Sequence, residues 1–405
     1  MAKARNSKRP RKSKTSPPVT QRWPRFAVLL VLLPLPAIWW SLSDATSDAC
    51  REAEKLLATN PNQAAAILEQ AVMNAGGNAP NAQLLWTRAL IRARRPDEAL
   101  GCFSLITSPS AVDHGQLLIL AEEATASGDF LLARLVLEAI PEKSKARADA
   151  LERLITVYQQ LGDAASAKTM AEELNVLQPQ NSAGWLAIAQ FQEQQMEPHA
   201  ALRSYQQILK HERDEEQRRP ALQSVVRILV LLGEREDARK YFDELSDNGR
   251  LEPDDQLNEV LLLRLEGETE SAWQKINSFM ATSSGNVQGR EIRGTLAFGR
   301  GDTEAALKDF QTVVNEQPAN KQSHYKLAQA LIRLDRKQEA QEHLERNREL
   351  TEISARVLQL QSRSETGQAE ADRLGELANA YEKLGQRETA TRLRASARRI
   401  IPGNQ

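Results

Sequence analysis

The 405-residue chain sets 53 Lys and Arg against 54 Asp and Glu, with 41% hydrophobic and only 5% aromatic residues. That suffices for a core, but one of alanine and leucine rather than large rings, and the scarcity of β-branched runs argues against any sheet. The near-zero net charge excludes a uniformly basic nucleic-acid binder and hides an asymmetry along the chain.

Residues 1–25 hold nine of the cations and no acid, so the remaining 380 residues carry 44 basic against 54 acidic side chains. This first segment reads as a disordered basic tail. Its densest part, Lys8-Arg9-Pro10-Arg11-Lys12, also fits a nuclear-localisation or nucleic-acid patch, but the segment that follows gives it another meaning. Phe26 to Leu42 is an apolar run interrupted only by Pro34, Pro36 and Ser41. At 1.5 Å per residue it spans roughly 25 Å, slightly short of a hydrocarbon core of ~30 Å. Trp23 on one side and Trp39-Trp40 on the other suit the two interfacial belts, and Arg22 and Arg25 can snorkel. The expectation is a transmembrane signal anchor at 26–42 in contact with the lipid bilayer. The tail then stays cytoplasmic and the rest lies on the extracytoplasmic side, the periplasm in a bacterium. A cleaved signal peptide is the rival, with cuts after Ala45 or Ala49 releasing an exported soluble protein. The long basic leader and the tryptophan pair count against it.

From Ala45 to Asn404 one register persists. Ala64, Ala99, Ala133, Ala167, Ala201, Ala238, Ala272, Ala306, Ala340 and Ala390 follow one another at steps of 34 residues in six of nine cases, the others being 35, 37 and 50. With this alanine as position 20 of a unit, position 15 holds Gly128, Gly162, Gly233, Gly267, Gly301 and Gly385, an agreement for which the register was not chosen. A fixed period of this length, each unit reading as helix, turn, helix, is the mark of an α-solenoid. The long step places an irregular insertion at 355–370.

One hairpin cannot bury its own apolar face, so neighbours must stack into a continuous core. Small or β-branched residues at position 8 (Ala121, Ala189, Val226, Val260, Gly294, Ala328, Ala378) face the alanine and permit a close helix crossing. Larger residues at positions 24 and 27, such as Phe103 and Ile106 or Phe310 and Val313, fill the space between units. Glycine at position 15 is expected to end the first helix in a left-handed conformation. The acid after it (Asp129, Asp163, Glu234, Glu268, Asp302) is expected to cap or charge the start of the second. Pro179, Pro318 and Pro402 close second helices. The charged run His211 to Arg219 coincides with a three-residue insertion and reads as a linker.

Trp185, Ile188, Ala189, Ala201, Tyr205 and Ile208 in one unit, and Leu151, Leu154, Tyr158, Gly162, Ala167 and Pro179 in the unit before, stand at the signature spacing of the tetratricopeptide repeat (TPR), which the pattern resembles. The resemblance implies an all-α solenoid of about ten helix-turn-helix repeats in a right-handed superhelix, here after one N-terminal transmembrane helix. It implies a scaffold rather than an enzyme and names no partner. The first unit departs from it, with Arg51, Glu52 and Lys55 where apolar residues belong. The family's carboxylate clamp of Lys and Asn at positions 5 and 9 is absent: Leu186 and Gln190, or Tyr325 and Gln329, stand there.

No catalytic motif emerges. The five histidines show no ligand spacing, Cys50 and Cys102 fall in different units and are expected unpaired, and no phosphate loop or nucleophile elbow is present. Hence no cofactor and no metal are expected. The expected function is a membrane-anchored scaffold presenting a concave groove to a partner peptide or helix. The alternatives are a non-catalytic subunit tethering an envelope biogenesis or secretion enzyme, and the exported soluble form. Groove positions 2, 5, 9 and 12 point to Glu122, Glu152 and Glu193 in earlier units and Arg227 and Arg264 in middle ones, with Gln329 and Arg333 beyond. A partner would meet an acidic stretch and then a more basic one.

Overall fold

A computed structural model describes residues 46–106, 108, 112–247 and 251–400. The proposed anchor at 26–42, the basic tail and Pro402 lie outside the described residues. Among the described residues no helix is long and apolar enough to cross a membrane.

Twenty helices and no strand make up the described chain. They form ten hairpins: α1 (46–56) with α2 (Pro61–Asn74), α3 (Pro80–Arg92) with α4 (Pro96–Ser104), and α5 (His114–Ala126) with α6 (Phe130–Glu138). Then come α7 (Arg147–Gln160) with α8 (Ala164–Leu177), α9 (Ser182–Gln194) with α10 (Pro198–His211), and α11 (Glu215–Leu232) with α12 (Arg235–Asp247). The last four are α13 (Pro253–Glu266) with α14 (Thr269–Thr282), α15 (Val287–Gly299) with α16 (Thr303–Glu316), α17 (Lys321–Arg333) with α18 (Lys337–Gln361), and α19 (Gly367–Lys383) with α20 (Arg387–Ile400).

The alanine register is the packing register. All ten position-20 alanines are buried, and so are the seven residues named at position 8. At Gly294 a methyl group would lie 2.8 Å from the Phe310 ring and 3.1 Å from Asp309 Cβ, so the two helices of that hairpin cross at nearly the closest approach possible. Phe103, Ile106, Leu137, Ile140, Tyr205, Ile208, Phe242, Leu245, Phe310 and Val313 are buried between units as expected. In the first unit Ala53 and Leu57 carry the burial while Arg51, Glu52 and Lys55 stay exposed.

Position 15 is left-handed in nine of the ten units. The six glycines have positive φ, and where glycine is missing Arg94 (58°), Met196 (61°) and Asp335 (63°) adopt the same conformation. The requirement is therefore set by the turn, and these three units carry a side chain at a cost of about 1–2 kcal/mol each. After the turn, Asp129, Asp163 and Asp302 accept from the third backbone N–H of the second helix, at 3.1, 2.9 and 3.1 Å. Glu268 makes no such side-chain cap and is left to charge the start of its helix. The linker reading of His211 to Arg219 needs correction. Asp214 accepts from Gln217 N–H at 3.0 Å and starts α11 at Glu215, so only residues 212–214 connect the helices. The irregular stretch 355–370 divides between the last turns of α18, five non-helical residues and the start of α19.

First helices of successive units touch one another from α3 to α9 and from α11 to α17, whereas second helices contact chiefly their own partners and the next first helix. The layer with the closer spacing has the shorter arc. First helices therefore line the concave side.

The chain also meets itself. The start of α19 and the end of α20 rest on the hairpin turns of units two to four. Arg399 Nη1 and Nη2 reach the Asp129 carboxylate at 2.6 and 2.9 Å, and its Nε reaches Asp97 at 2.8 Å, across 270 and 302 residues of sequence. Arg373, paired with Glu370 and 1% exposed, donates to the carbonyls of Gly162 at 2.9 Å and Leu360 at 3.1 Å. Leu377 covers Gly162 so closely that a β-carbon there would be 2.4 Å from its methyl.

If the position-20 crossing sets the packing, Ala306→Leu overpacks it and costs about 1–3 kcal/mol, whereas Ala→Leu at exposed Ala395 changes little. Thermal melts of the two variants check this, and equal losses would refute the crossing.

Candidate functional site: the concave face

Each first helix turns one side to its own second helix and another to the concavity, so polar residues on the latter recur once per unit and meet those of the next unit. The result is a ladder of side-chain contacts. Arg88 and Arg92 of α3 converge on Glu123 of α5 at 2.8 and 2.6 Å. Arg153 of α7 reaches back to Glu122 at 3.3 Å, and Gln159 donates to Gln190 of α9 at 3.3 Å. Arg227 of α11 pairs with Glu193 of α9, Gln223 and Arg219 of α11 both bind Asp255 of α13, and Lys326 of α17 pairs with Glu291 of α15 at 2.8 Å. Burial alone would raise the Glu123 carboxyl, but its two guanidinium partners more than offset this and hold it below the usual carboxylate range.

The seven residues singled out from the sequence divide four ways. Glu193 and Arg227 are brought together as an ion pair, and Glu193 also accepts from the Tyr205 hydroxyl at 3.3 Å. Glu122 and Glu152 are each occupied by a neighbouring unit, through Arg153 and through Asn181 at 3.3 Å. Arg333 lies 3.7 Å from the centre of the Phe298 ring and donates to the Phe298 carbonyl at 2.8 Å. Arg264 and Gln329 are exposed and, among the described residues, no ion pair or side-chain hydrogen bond engages them. Between these polar rungs stand exposed apolar side chains of first helices, Ile119, Leu186, Tyr325 and Ile332.

Sequence reasoning missed Arg88, Arg92, Glu123, Gln223, Asp255, Glu291 and Lys326. A signal was present: the pairs lie 31 to 36 residues apart, one repeat, so opposite charges could have been matched at that offset. Asp255 carries the tightest of these networks. Its carboxylate is inaccessible, accepts from the Glu252 N–H at 2.8 Å and from Gln223 at 2.8 Å, and pairs with Arg219.

Two histidines that showed no spacing signal are partners in space. His324 on α17 and His343 on α18 approach Nδ1 to Nδ1 at 3.0 Å, and His324 Nε2 is 3.2 Å from the Pro318 carbonyl. The carbonyl can only accept, so Nε2 of His324 carries the proton, its Nδ1 is the acceptor, and His343 Nδ1–H donates to it. Burial lowers the pKa of His324, aided by His343 and Arg346, and burial lowers that of His343 against the pull of Glu342 and Glu339. Among the described residues no group of three His, Cys, Asp or Glu side chains is placed to hold a metal ion. Cys50 and Cys102 are free thiols, and burial pushes that of Cys102 up to about 11.

Residues 297–363 match the profile of the tetratricopeptide repeat family. No curated protein matches the chain. A tetratricopeptide repeat protein from Parabacteroides merdae superposes with a TM-score of 0.54 at 16% identity, covering 62% of this chain and 99% of that one. Human IFIT1, in a dimer with PPP-AAAA, aligns at 13% identity over 83% of this chain and 94% of its own, with a TM-score of 0.42. YrrB, a TPR protein with an unusual peptide-binding site, aligns at 14% identity over 44% and 91%, with a TM-score of 0.28. The first shows the fold, a TPR-like solenoid, and the other two are too distant in shape to add to it.

The histidine pair sets a pH dependence. With both folded pKa values lowered, the neutral rings contribute stability that is complete above the ordinary imidazole value of about 6.5 and is lost as pH falls from there through the lowered values. The melting temperature should therefore fall between pH 7.5 and 5.5. His343→Gln keeps a donor for His324 Nδ1 and removes one titrating ring, so its fall should be smaller; an equal fall would place the pH dependence elsewhere.

Proposed function

We propose that this chain is a membrane-anchored interaction scaffold. The anchor is Phe26 to Leu42, the nine-cation tail remains in the cytoplasm, and the repeats hold a partner peptide or helix on the extracytoplasmic side. The observation that carries the binding part is the first-helix face, where Leu186, Tyr325 and Ile332 remain exposed among polar rungs. Water contact with large apolar side chains is unfavourable by about 25 cal/mol per Å², so a partner that covers them gains affinity. The polar rungs contribute specificity. Glu193 and Arg227 already neutralise each other. A partner bearing one charge of each sign can exchange this pair for two of its own at little net change, whereas a uniformly charged polymer must leave one member unpaired. Arg264 and Gln329 are free to engage without any such exchange.

The anchor is supported by the sequence of 26–42 and its flanking tryptophans and arginines. A reporter active only when exported, fused after Gln405, should give signal, and an N-terminal tag should persist on the mature membrane protein. A reporter active only in the cytosol and functioning at that position would reverse the topology, and loss of the tag would favour cleavage.

The groove is tested by affinity capture of the full chain from its native membrane beside Arg227→Glu and Arg264→Glu. Selective loss of the same partner from both variants is the expected result. An unchanged set of captured proteins would move binding off the concave face.

A further inference from the structure

We propose that the contact between unit ten and units two to four is a clasp that holds the solenoid closed and limits entry to the concave face. The gating half of this rests on the groove reading above; the clasp itself rests on geometry alone.

Three features mark the contact as a clasp rather than as one more repeat interface. It joins opposite edges. The early units present hairpin turns, Gly162 and the caps Asp129 and Asp163, while unit ten presents the start of α19 and the end of α20. Repeat interfaces elsewhere join helix faces. The contact is also mostly polar. Arg399 grips Asp129, Asp97 and the Pro96 carbonyl, Arg373 grips the Gly162 carbonyl, and the Ser364 hydroxyl donates to Asp163 at 3.2 Å. The apolar share is limited to Leu377 and Leu393 over Gly162, Arg392 against the Phe130 ring, and Ile400 at the edge of the N-terminal core. Finally, Leu374, Leu377, Ala378 and Leu393 of the last hairpin pack with Leu360 of α18 in one core, distinct from that of the early units except at Ile400, which touches both. The hairpin can leave those units without unfolding.

The motion required is small. The main helix contacts of units five to nine are within a unit or with the adjacent unit, so a slight change at each interface adds up to a gap at the closing contact. While closed, the contact fixes the distance between early and late units, and so fixes the width available to a partner. Arg399 is largely buried and Asp129 almost wholly so, which makes the pair resistant to ordinary salt, whereas Asp97 is exposed and screened.

The test uses the full chain in detergent with Cys50→Ser and Cys102→Ala, spin-labelled at Glu98→Cys on α4 and Arg398→Cys on α20. Double electron–electron resonance should give one short, narrow distance. Arg399→Glu should add a population several ångströms longer with far-ultraviolet circular dichroism unchanged. If Arg399→Glu loses helicity, Asp97→Arg at the exposed carboxylate should open the same gap by repulsion. A folded variant of either kind with the original distance overturns the clasp. In capture from the native membrane, an opened variant should recover the partner several-fold more than the parent chain. An opened gap with unchanged recovery overturns the gating and leaves the groove reading intact, whereas loss of recovery in Arg227→Glu with the gap still closed bears on the groove alone.

Discussion

The close crossing of two helices at an alanine is the constraint from which the other features follow. A methyl group at position 20 and a small residue at position 8, with Gly294 packed directly on Phe310, set the separation of the hairpin helices, because larger residues would not fit and the interior tolerates little strain. Ten copies of one geometry can only stack in one way. That stacking carries each first helix a repeat's length past the last, and so decides which polar residues meet on the concave side. Arg88 meets Glu123 and Arg227 meets Glu193 because the crossings repeat, and neither pair has any local reason to form.

The concave ladder changes how charge on this face should be understood. Taken residue by residue, Glu122, Glu152 and Glu193 followed by Arg227 and Arg264 describe an acidic zone and a basic zone. In the folded chain much of that charge is already cancelled across unit boundaries. Exposed pairs of this kind contribute only about 0.2–1 kcal/mol each. They hold register and orient long side chains more than they stabilise, and a partner can displace them at small cost. The apolar residues between them have no such competitor, which is why attraction is assigned to Leu186, Tyr325 and Ile332 and discrimination to the charges.

Much of the architecture was legible in the sequence because a repeat samples the same physical demand ten times. Glycine at position 15 announces a left-handed turn when it recurs, whereas at Arg94, Met196 and Asp335 no glycine gives the signal and the conformation was not read from the sequence. Cap chemistry was legible for aspartate, whereas the choice between capping and charging the helix start at Glu268 was not legible in a pattern of charges. The linker expected over His211 to Arg219 failed because composition was weighed above the Asp214 cap. Of the concave face, the positions were legible and the pairing was not, although the one-repeat offset contained it. The His324–His343 contact and the return of α20 to α4 and α6 had no signal at all. The first depends on side-chain direction within a hairpin, and the second on curvature accumulated over many interfaces.

The return contact also sets an order of events. Nearly every other contact in the chain is local or spans a single repeat, so each hairpin can fold as soon as it and its neighbour have emerged, and low contact order favours speed. Arg399 is synthesised 270 residues after Asp129. At typical rates of synthesis that is a delay of roughly 10–60 s, during which early hairpins are folded with Asp129 lacking its cation. The nascent solenoid is thus an open spring before it becomes a closed one, and on the proposed reading a partner already present where the repeats emerge across the membrane would meet a wider groove than one that arrives later.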